Sequence, residues 1–160
     1  MSRRVRVRDR GFYGIGVQQA KFEANIGTLL RSAVCLGADF VFVIGRRYQR
    51  QASDTVASWR HIPLYLYDDL DDFAAHRPFD VPLVGVELAE SAAPLESFVH
   101  PERAIYLLGP EDGSLSRDAM RMCQHIVQFQ SAYCLNVAAA GTVVMYDRQA
   151  KQLARGEAVA

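Results

Sequence analysis

Short apolar runs alternate with longer mixed segments along this chain. The run Phe40–Ile44 (FVFVI) is apolar at every position, which is typical of a strand buried on both faces of a sheet. Similar runs predict six strands, at 13–17, 40–44, 62–66, 81–86, 104–108 and 126–129. Each run is followed by a polar or glycine-containing stretch, so the pattern favours separate strands over one long apolar segment.

The segments between these strands space their apolar residues as helices do. The first predicted helix has Asn25 as its N-cap and stops at Gly37, and the last runs from Asn136 to about Arg155. Shorter helices are predicted at 68–76 and at 116–123, the second capped by Ser116, with one or two helical turns at 54–60. Strands that alternate with helices predict an α/β fold, a six-stranded, mostly parallel sheet with helices on both faces.

Composition places the chain among ordinary globular proteins. It has 160 residues, 50% of them hydrophobic, and 18 basic residues balance 18 acidic ones, which predicts one domain with a substantial core. No apolar run is long enough to span a bilayer, and the charged start lacks the apolar region of a signal peptide. Cysteine occurs at Cys35, Cys123 and Cys134 only, without paired spacing. We therefore expect a reduced, cytoplasmic protein with neither disulfides nor bound metal.

Arginine accounts for all but two of the 18 basic residues, and its planar fork suits phosphate groups. We expect residues 1–12 to form a flexible basic arm before a single domain at 13–160. A second basic cluster follows the strand at 40–44 and includes Arg50 and Arg60. The pattern fits a solvated surface as well as a nucleic-acid contact surface. The candidate RNA-binding residues are Arg3, Arg4, Arg6, Arg8, Arg10, Arg46 and Arg47.

Three segments that border predicted loops carry candidate chemistry, because ligands of parallel sheets bind in the loops at the carboxyl ends of strands. The first, NIGTLLR, runs from Asn25 to Arg31. Asn25 fits a simple N-cap, whereas Arg31 is expected near the inner face of the helix, where a charge needs a partner or a function.

The second segment, LGPEDGSLS at 108–116, predicts a tight loop with free backbone N–H groups. It lacks Gly-Lys-Ser/Thr, and Glu111 would repel a phosphate, so it is not a phosphate loop. The third, QFQSAYCLN at 128–136, leads into a helix of small residues. For Cys134 a buried, inert thiol is favoured over a nucleophile, and for the acidic cluster at 68–72 a solvated helix start is favoured over a metal site.

In order and spacing, these segments resemble the three motifs of the SpoU/TrmH-like branch of the SPOUT RNA methyltransferases. The matching stretches are NIGTLLRSAVCLGADFVFVIG, LLGPEDGSLS and CLNVAAAGTVVMYD, within a resemblance that extends from about Tyr13 to Arg148. The short chain is similar to the minimal, TrmL-like members. The resemblance implies a C-terminal trefoil knot whose loops bind S-adenosylmethionine. It also implies a homodimer with the active site near the subunit interface, acting on RNA.

The resemblance also implies roles for individual residues. The implied reaction is methylation of a ribose 2′-hydroxyl of RNA, with tRNA favoured over rRNA because the chain is small. Arg31 would bind phosphate and stabilise the developing alkoxide, since a guanidinium is not deprotonated in proteins. The implied catalytic residues are Arg31, Asn25, Glu111 and Asn136. The implied cofactor-binding residues are Val86, Gly109, Ile126, Cys134 and Leu135.

Two positions depart from the family pattern. Ser114 stands where the second motif has glycine, which would cost about 1–2 kcal/mol if that position required positive φ. Cys134 stands where the third motif has serine, and a thiol is a weak hydrogen-bond donor. These departures leave open an RNA-binding protein of the same fold with lost or altered methyl transfer. A base N-methyltransferase is also open, and a nucleotide-binding regulator ranks last because no phosphate-binding fingerprint is present.

Overall fold

The computed structural model describes residues 11–45 and 57–156. The candidate RNA-binding arginines at 3, 4, 6, 8, 10, 46 and 47 therefore lie outside the described residues. The strand after the predicted arm begins at Phe12, one residue before the predicted domain boundary. Within the described ranges, no helix is both long and apolar enough to cross a membrane.

A single parallel sheet organises the described chain. Its strands, in chain order, are β1 (Phe12–Gln18), β2 (Phe40–Ile44), β3 (Leu64–Tyr67), β4 (Leu83–Val86), β5 (Ala93–Pro94), β6 (Arg103–Leu108) and β7 (His125–Gln128). The order across the sheet is β3-β2-β1-β6-β4-β7-β5, and every pair is parallel. The predicted α/β fold is confirmed, but the described chain has seven strands where six were expected, because the two-residue β5 was missed.

The described residues form four α-helices, of which three connect strands and the last follows β7. They are α1 (Glu23–Leu36), α2 (Leu70–His76), α3 (Arg117–Met122) and α4 (Val137–Ala154), with 3₁₀ turns at Ser58–Arg60 and Leu95–Ser97. Gly37 ends α1 in the left-handed region, at φ 77°, which glycine adopts without a Cβ clash. The predicted cap Ser116 is confirmed. The predicted cap Asn25 is wrong, because α1 begins earlier, with Phe22 at the N-cap position.

The helices cover the two faces of the sheet in pairs. Buried residues of α1 and α4 form one core with β1, and α2 and α3 contribute Phe73 and Ala119 to the core on the other face. Close contact between α1 and α4 depends on Gly141, where a Cβ would lie only 2.6 Å from Leu29 Cδ1. Small residues at this contact therefore allow the last helix to pack tightly against the first.

A buried polar cluster fixes α4 to the sheet. The His100 imidazole lies between the Tyr106 hydroxyl (2.6 Å from Nδ1) and the Asp147 carboxylate (2.8 Å from Nε2). Arg148 donates to the Tyr106 hydroxyl and to the carbonyls of Pro101 and Glu102. Burial lowers the pKa of His100 to about 4, although Asp147 favours the protonated ring. His100 is therefore neutral, with Nε2–H donating to Asp147 and Nδ1 accepting from the tyrosine.

Candidate active site

A cavity of about 420 Å³ opens where the loops after β4, β6 and β7 meet the start of α4, within the usual size range of small-molecule sites. These loops meet because parallel strands end at the same edge of the sheet. Four predicted cofactor residues line the cavity, namely Val86, Gly109, Cys134 and Leu135. Ile126 does not line it, because its side chain packs against Gly85, where a Cβ would lie 2.8 Å from Ile126 Cδ1.

The cavity lining is apolar with acidic groups. Leu108, Phe129 and several other apolar side chains form most of the wall, and the charged lining residues are Glu87, Glu111 and Asp112. Among the described residues, no lysine, arginine or histidine lines it. Like charges repel more strongly in a partly enclosed site than in water. The lining therefore favours a ligand with an apolar body and a positive charge, and disfavours a phosphate.

Glu111 joins the loop after β6 to the start of α1. Its carboxylate accepts hydrogen bonds from Asn25 Nδ2 (2.8 Å) and from the backbone N–H groups of Lys21 (2.7 Å) and Phe22 (3.2 Å). Burial alone would raise the pKa of Glu111, but these hydrogen bonds outweigh it and lower the pKa. Glu111 is therefore ionised at neutral pH, with its charge held by donors from the facing segment.

A second hydrogen bond carries this connection to the last helix. Asn136 Nδ2 donates to Asn25 Oδ1 at 2.9 Å. Asn136 Oδ1 in turn accepts from the backbone N–H groups of Ala138 (2.9 Å) and Ala139 (3.4 Å) and so caps α4. The structure thus brings together Glu111, Asn25 and Asn136, three residues that the sequence analysis placed in separate motifs.

Arg31 is not part of this cluster. The inner face of α1 consists of Ile26, Leu29, Leu30 and Ala33, and Arg31 lies on the exposed face. Its expected position near the inner face is therefore wrong. Within the described ranges its guanidinium has no hydrogen-bonding or ion-pair partner, and it does not line the cavity. The exposed Arg31 side chain is therefore available for contact with another molecule.

The two departures from the family pattern have different outcomes. Ser114 is not among the described residues with positive φ. The strain expected from a serine at a position that requires positive φ therefore does not arise. Gly109 is constrained instead, because a Cβ there would lie 2.9 Å from the backbone nitrogen of Leu115. The prediction of a buried Cys134 is wrong, because the residue is exposed and lines the cavity.

Two residues that brace the cavity loops were not predicted from the sequence. Glu87 accepts from the backbone N–H of Leu115 at 2.6 Å and from that of Leu88 at 3.0 Å. Gln18 donates to the Ser116 hydroxyl at 2.9 Å and accepts from its backbone N–H at 3.0 Å. Both polar residues stand at the carboxyl end of a strand, which is the signal that identifies them.

The family of the chain follows from sequence comparison. Residues 14–146 match the model of the SpoU rRNA Methylase family, which covers most of the chain and includes all three candidate segments. The chain belongs to this family. No curated protein sequence is significantly similar to it.

Solved structures of RNA methyltransferases share the fold. The SpoU methyltransferase AviRb from Streptomyces viridochromogenes, solved in complex with AdoMet, is 25% identical with a TM-score of 0.77, over 94% of this chain and 64% of that one. This chain thus spans less than two thirds of AviRb. A TrmH/SpoU tRNA modifying enzyme from A. aeolicus is 14% identical, with a TM-score of 0.80 over 93% of this chain and 79% of that one. A structure described for 2-OH methylation of C/U34 on tRNA is 22% identical, with a TM-score of 0.73 over 90% and 92%.

Proposed function

We propose that this protein transfers the methyl group of S-adenosylmethionine to a ribose 2′-hydroxyl of RNA. The observation that carries the proposal is the acidic and apolar cavity at the carboxyl edge of β4, β6 and β7, adjoining the Glu111–Asn25–Asn136 cluster. Membership in the SpoU family and the fold shared with AdoMet-bound AviRb support the same function.

The residues of the cavity fit this cofactor. Apolar walls suit an adenine ring, and the carboxylates of Glu87 and Glu111, which form no ion pair within the described ranges, suit a cationic sulfonium. When bound, the cofactor supplies an activated methyl group whose departure leaves a neutral thioether, so the protein needs no acid at the leaving group. Backbone groups near Val86, Gly109 and Leu135 would hold it, and the Cys134 thiol borders the same space.

The protein's own task is to orient the ribose of the RNA and to stabilise charge as its 2′-hydroxyl loses a proton to water or to the neighbouring phosphate. Asn25 and Asn136 would orient this ribose, and the hydrogen bond from Asn25 to Glu111 supports that role because it fixes the Asn25 side chain. Arg31 would hold the neighbouring phosphate and stabilise the developing alkoxide. Positioning the hydroxyl in line with the methyl group would supply much of the remaining rate enhancement.

A homodimer reconciles this role with the exposed position of Arg31. The helix that packs against α1, α4, exposes apolar side chains that include Val143, Tyr146 (62% exposed) and Leu153 (56% exposed). A hydrophobic patch of this kind on a helix pair is suited to an interface with a second copy. Docked there, each subunit would present its Arg31 to the cavity of its partner.

The RNA would be tRNA and not rRNA, and the arginines of residues 3–10 and 46–47 would bind its phosphates. A ribose 2′-hydroxyl as acceptor makes RNA, and not DNA, the substrate. The C-terminal trefoil knot and the cytoplasmic location implied by the family resemblance belong to the same proposal.

The test is incubation with methyl-labelled S-adenosylmethionine and total RNA from cells that lack this gene. Digestion to nucleosides and mass analysis should give a 2′-O-methylated nucleoside. A methylated base would show instead a base N-methyltransferase. RNA binding without label transfer, and without a thermal shift on adding the cofactor, would show an RNA-binding protein of this fold; a ligand at 100 times its Kd should add about 2.7 kcal/mol.

A further inference from the structure

Glu87 differs from the other two carboxylates of the cavity. Glu111 is engaged by the Asn25 side chain and two backbone N–H groups, and Asp112 is ion-paired with Lys21. Within the described ranges, Glu87 accepts hydrogen bonds only from the backbone N–H groups of Leu88 (3.0 Å, to Oε1) and Leu115 (2.6 Å, to Oε2). Among the described residues, no side chain donates to it. Each of its oxygens thus retains acceptor capacity inside the cavity, since a carboxylate has about four acceptor positions.

The space next to this carboxylate is kept open by a glycine. A Cβ on Gly109 would lie 3.5 Å from Glu87 Oε2, in van der Waals contact. Without that atom, a ligand that passes along the backbone of Gly109 reaches the carboxylate directly. The two backbone hydrogen bonds also fix the orientation of Glu87 before any ligand binds, so the acceptor pair is preorganised.

We propose that Glu87 binds the two neighbouring hydroxyls of the ribose of S-adenosylmethionine. This inference rests on the proposed function, because it assigns a part of the cofactor to a residue of the same cavity. Two hydroxyls on adjacent carbons offer a pair of donors at a spacing that the two oxygens of one carboxylate accept. Acidic residues recognise ribose hydroxyls in the same way in dinucleotide-binding folds.

The experiment measures ligand affinity and requires no catalysis. Wild-type protein and Glu87→Ala are titrated calorimetrically with S-adenosylhomocysteine and with its 2′-deoxy and 3′-deoxy forms. In the wild type, removal of a hydroxyl should weaken binding about 10- to 100-fold, the usual effect of losing a hydrogen bond to a charged group. In Glu87→Ala, the ratio of deoxy to parent Kd should fall to near one.

The ratio separates ligand contact from structural support. If Glu87 merely braces Leu88 and Leu115, its removal weakens all three ligands equally and the ratio keeps its wild-type value, which overturns the proposal. Asp112→Asn is the matched control, an acidic lining residue of the same cavity that should retain the wild-type ratio. If Glu87→Ala binds none of the ligands, Glu87→Gln replaces it, since glutamine keeps one acceptor oxygen. This variant should lose discrimination against only one of the two deoxy forms. Unchanged discrimination against both would contradict the assignment.

Two further outcomes keep this inference distinct from the proposed function. A further ligand, 5′-methylthioadenosine, lacks the amino-acid part of the cofactor. If Glu87→Ala abolishes discrimination against this ligand but keeps discrimination against the deoxy forms, Glu87 binds the ammonium group and the ribose assignment is wrong. If the wild-type protein binds neither S-adenosylmethionine nor S-adenosylhomocysteine, the proposed function fails, and the inference fails with it.

Discussion

Asn136 Nδ2 lies 2.9 Å from Asn25 Oδ1, across a separation of 111 residues in the chain. This contact ties the first turn of α1 to the N-cap of α4, and Glu111 extends it to the loop after β6. Three remote segments are therefore held in register at one edge of the sheet, beside the cavity. Local sequence preference alone would not place them there.

Substitution of Asn136 should separate its two roles. Asn136→Ala loses the cap of α4 and should reduce the free energy of unfolding by about 1 kcal/mol, whereas Asn136→Asp keeps a capping oxygen and should lose less. Both variants lose the donor to Asn25, so both should lower the methylation rate. Urea denaturation and single-turnover assays measure the two effects. Equal activity of Asn136→Asp and wild type would show that the contact with Asn25 is unimportant for the reaction.

Glu111→Gln should make stability less dependent on pH. The folded pKa of Glu111 is lowered by its hydrogen-bond donors, so its ionised form stabilises the folded state above the ordinary glutamate pKa, about 4.3. That contribution is lost as pH falls through the lowered folded value. Urea denaturation at several pH values should therefore show a wild-type advantage near neutrality that shrinks below about pH 4. A constant difference would contradict the assignment.

Arg31→Ala should reduce methyl transfer by at least about 100-fold, the usual effect of removing a group that stabilises transition-state charge. Cofactor affinity and stability should not change, because Arg31 is exposed and has no partner within the described ranges. Equilibrium titration and thermal unfolding check both. Loss of cofactor binding together with activity would refute the catalytic role.

Mixed dimers test whether Arg31 acts across subunits. Gly109→Val should close the cavity, since even a Cβ there meets the Leu115 nitrogen at 2.9 Å. A dimer of one Arg31→Ala and one Gly109→Val subunit has one intact cavity that faces an intact Arg31. When the two variants are mixed at random, half of the dimers contain one subunit of each kind, and each of these has one working site of two equivalent sites. The mixture should therefore recover about a quarter of wild-type activity. No recovery would mean that Arg31 serves the cavity of its own subunit.

Deletion of residues 2–10, which contain five arginines, should weaken RNA binding and flatten its dependence on salt. Each lost phosphate contact should reduce the slope of log K against log salt by about 0.7 on single-stranded RNA. Filter binding at several salt concentrations measures both quantities. Unchanged affinity would remove the arm from the proposed RNA contacts, and unchanged cofactor affinity is the control for folding.

His100 should make the protein less stable in mild acid. Its folded pKa of about 4 lies below the ordinary value of 6.5, so the unfolded chain binds a proton between these values and the folded protein does not. Stability is full above about pH 6.5 and falls by about 3 kcal/mol as pH drops to 4. Urea denaturation at pH 7 and pH 5 should show this slope, and His100→Gln should remove much of it. His61→Gln, at an exposed position, should keep it.

The strands and their alternation with helices could be predicted because their signals are local. Phe40–Ile44 is apolar throughout and lies fully buried between two helix layers. By contrast, Ala93–Pro94 forms a strand of two residues at the sheet edge, which is too short to show any periodicity.

Most residues of the site could be predicted from the sequence, but their positions relative to one another could not. Asn25 has the residue type of an N-cap, but Glu111, from a loop far along the chain, draws its side chain into the site instead. Arg31 directly follows two buried leucines, but helical geometry turns each residue about 100° from the one before it, and this rotation places Arg31 outside the buried face of α1. Glu87 and Gln18 stand at the carboxyl ends of strands, which marks them as candidates, but the backbone groups that they bind, at Leu115 and Ser116, lie far along the chain and have no local signal.

The dependence of the cavity on α4 also bears on how the protein is made. Residues 128–140, which supply part of its wall, are translated more than one hundred residues after Asn25. A nascent chain on the ribosome can form α1 early, but it lacks a wall of the pocket until this late segment has emerged. Maturation of the ligand site is therefore a late event in biosynthesis, and ribosome-bound intermediates of increasing length should acquire ligand affinity in one step.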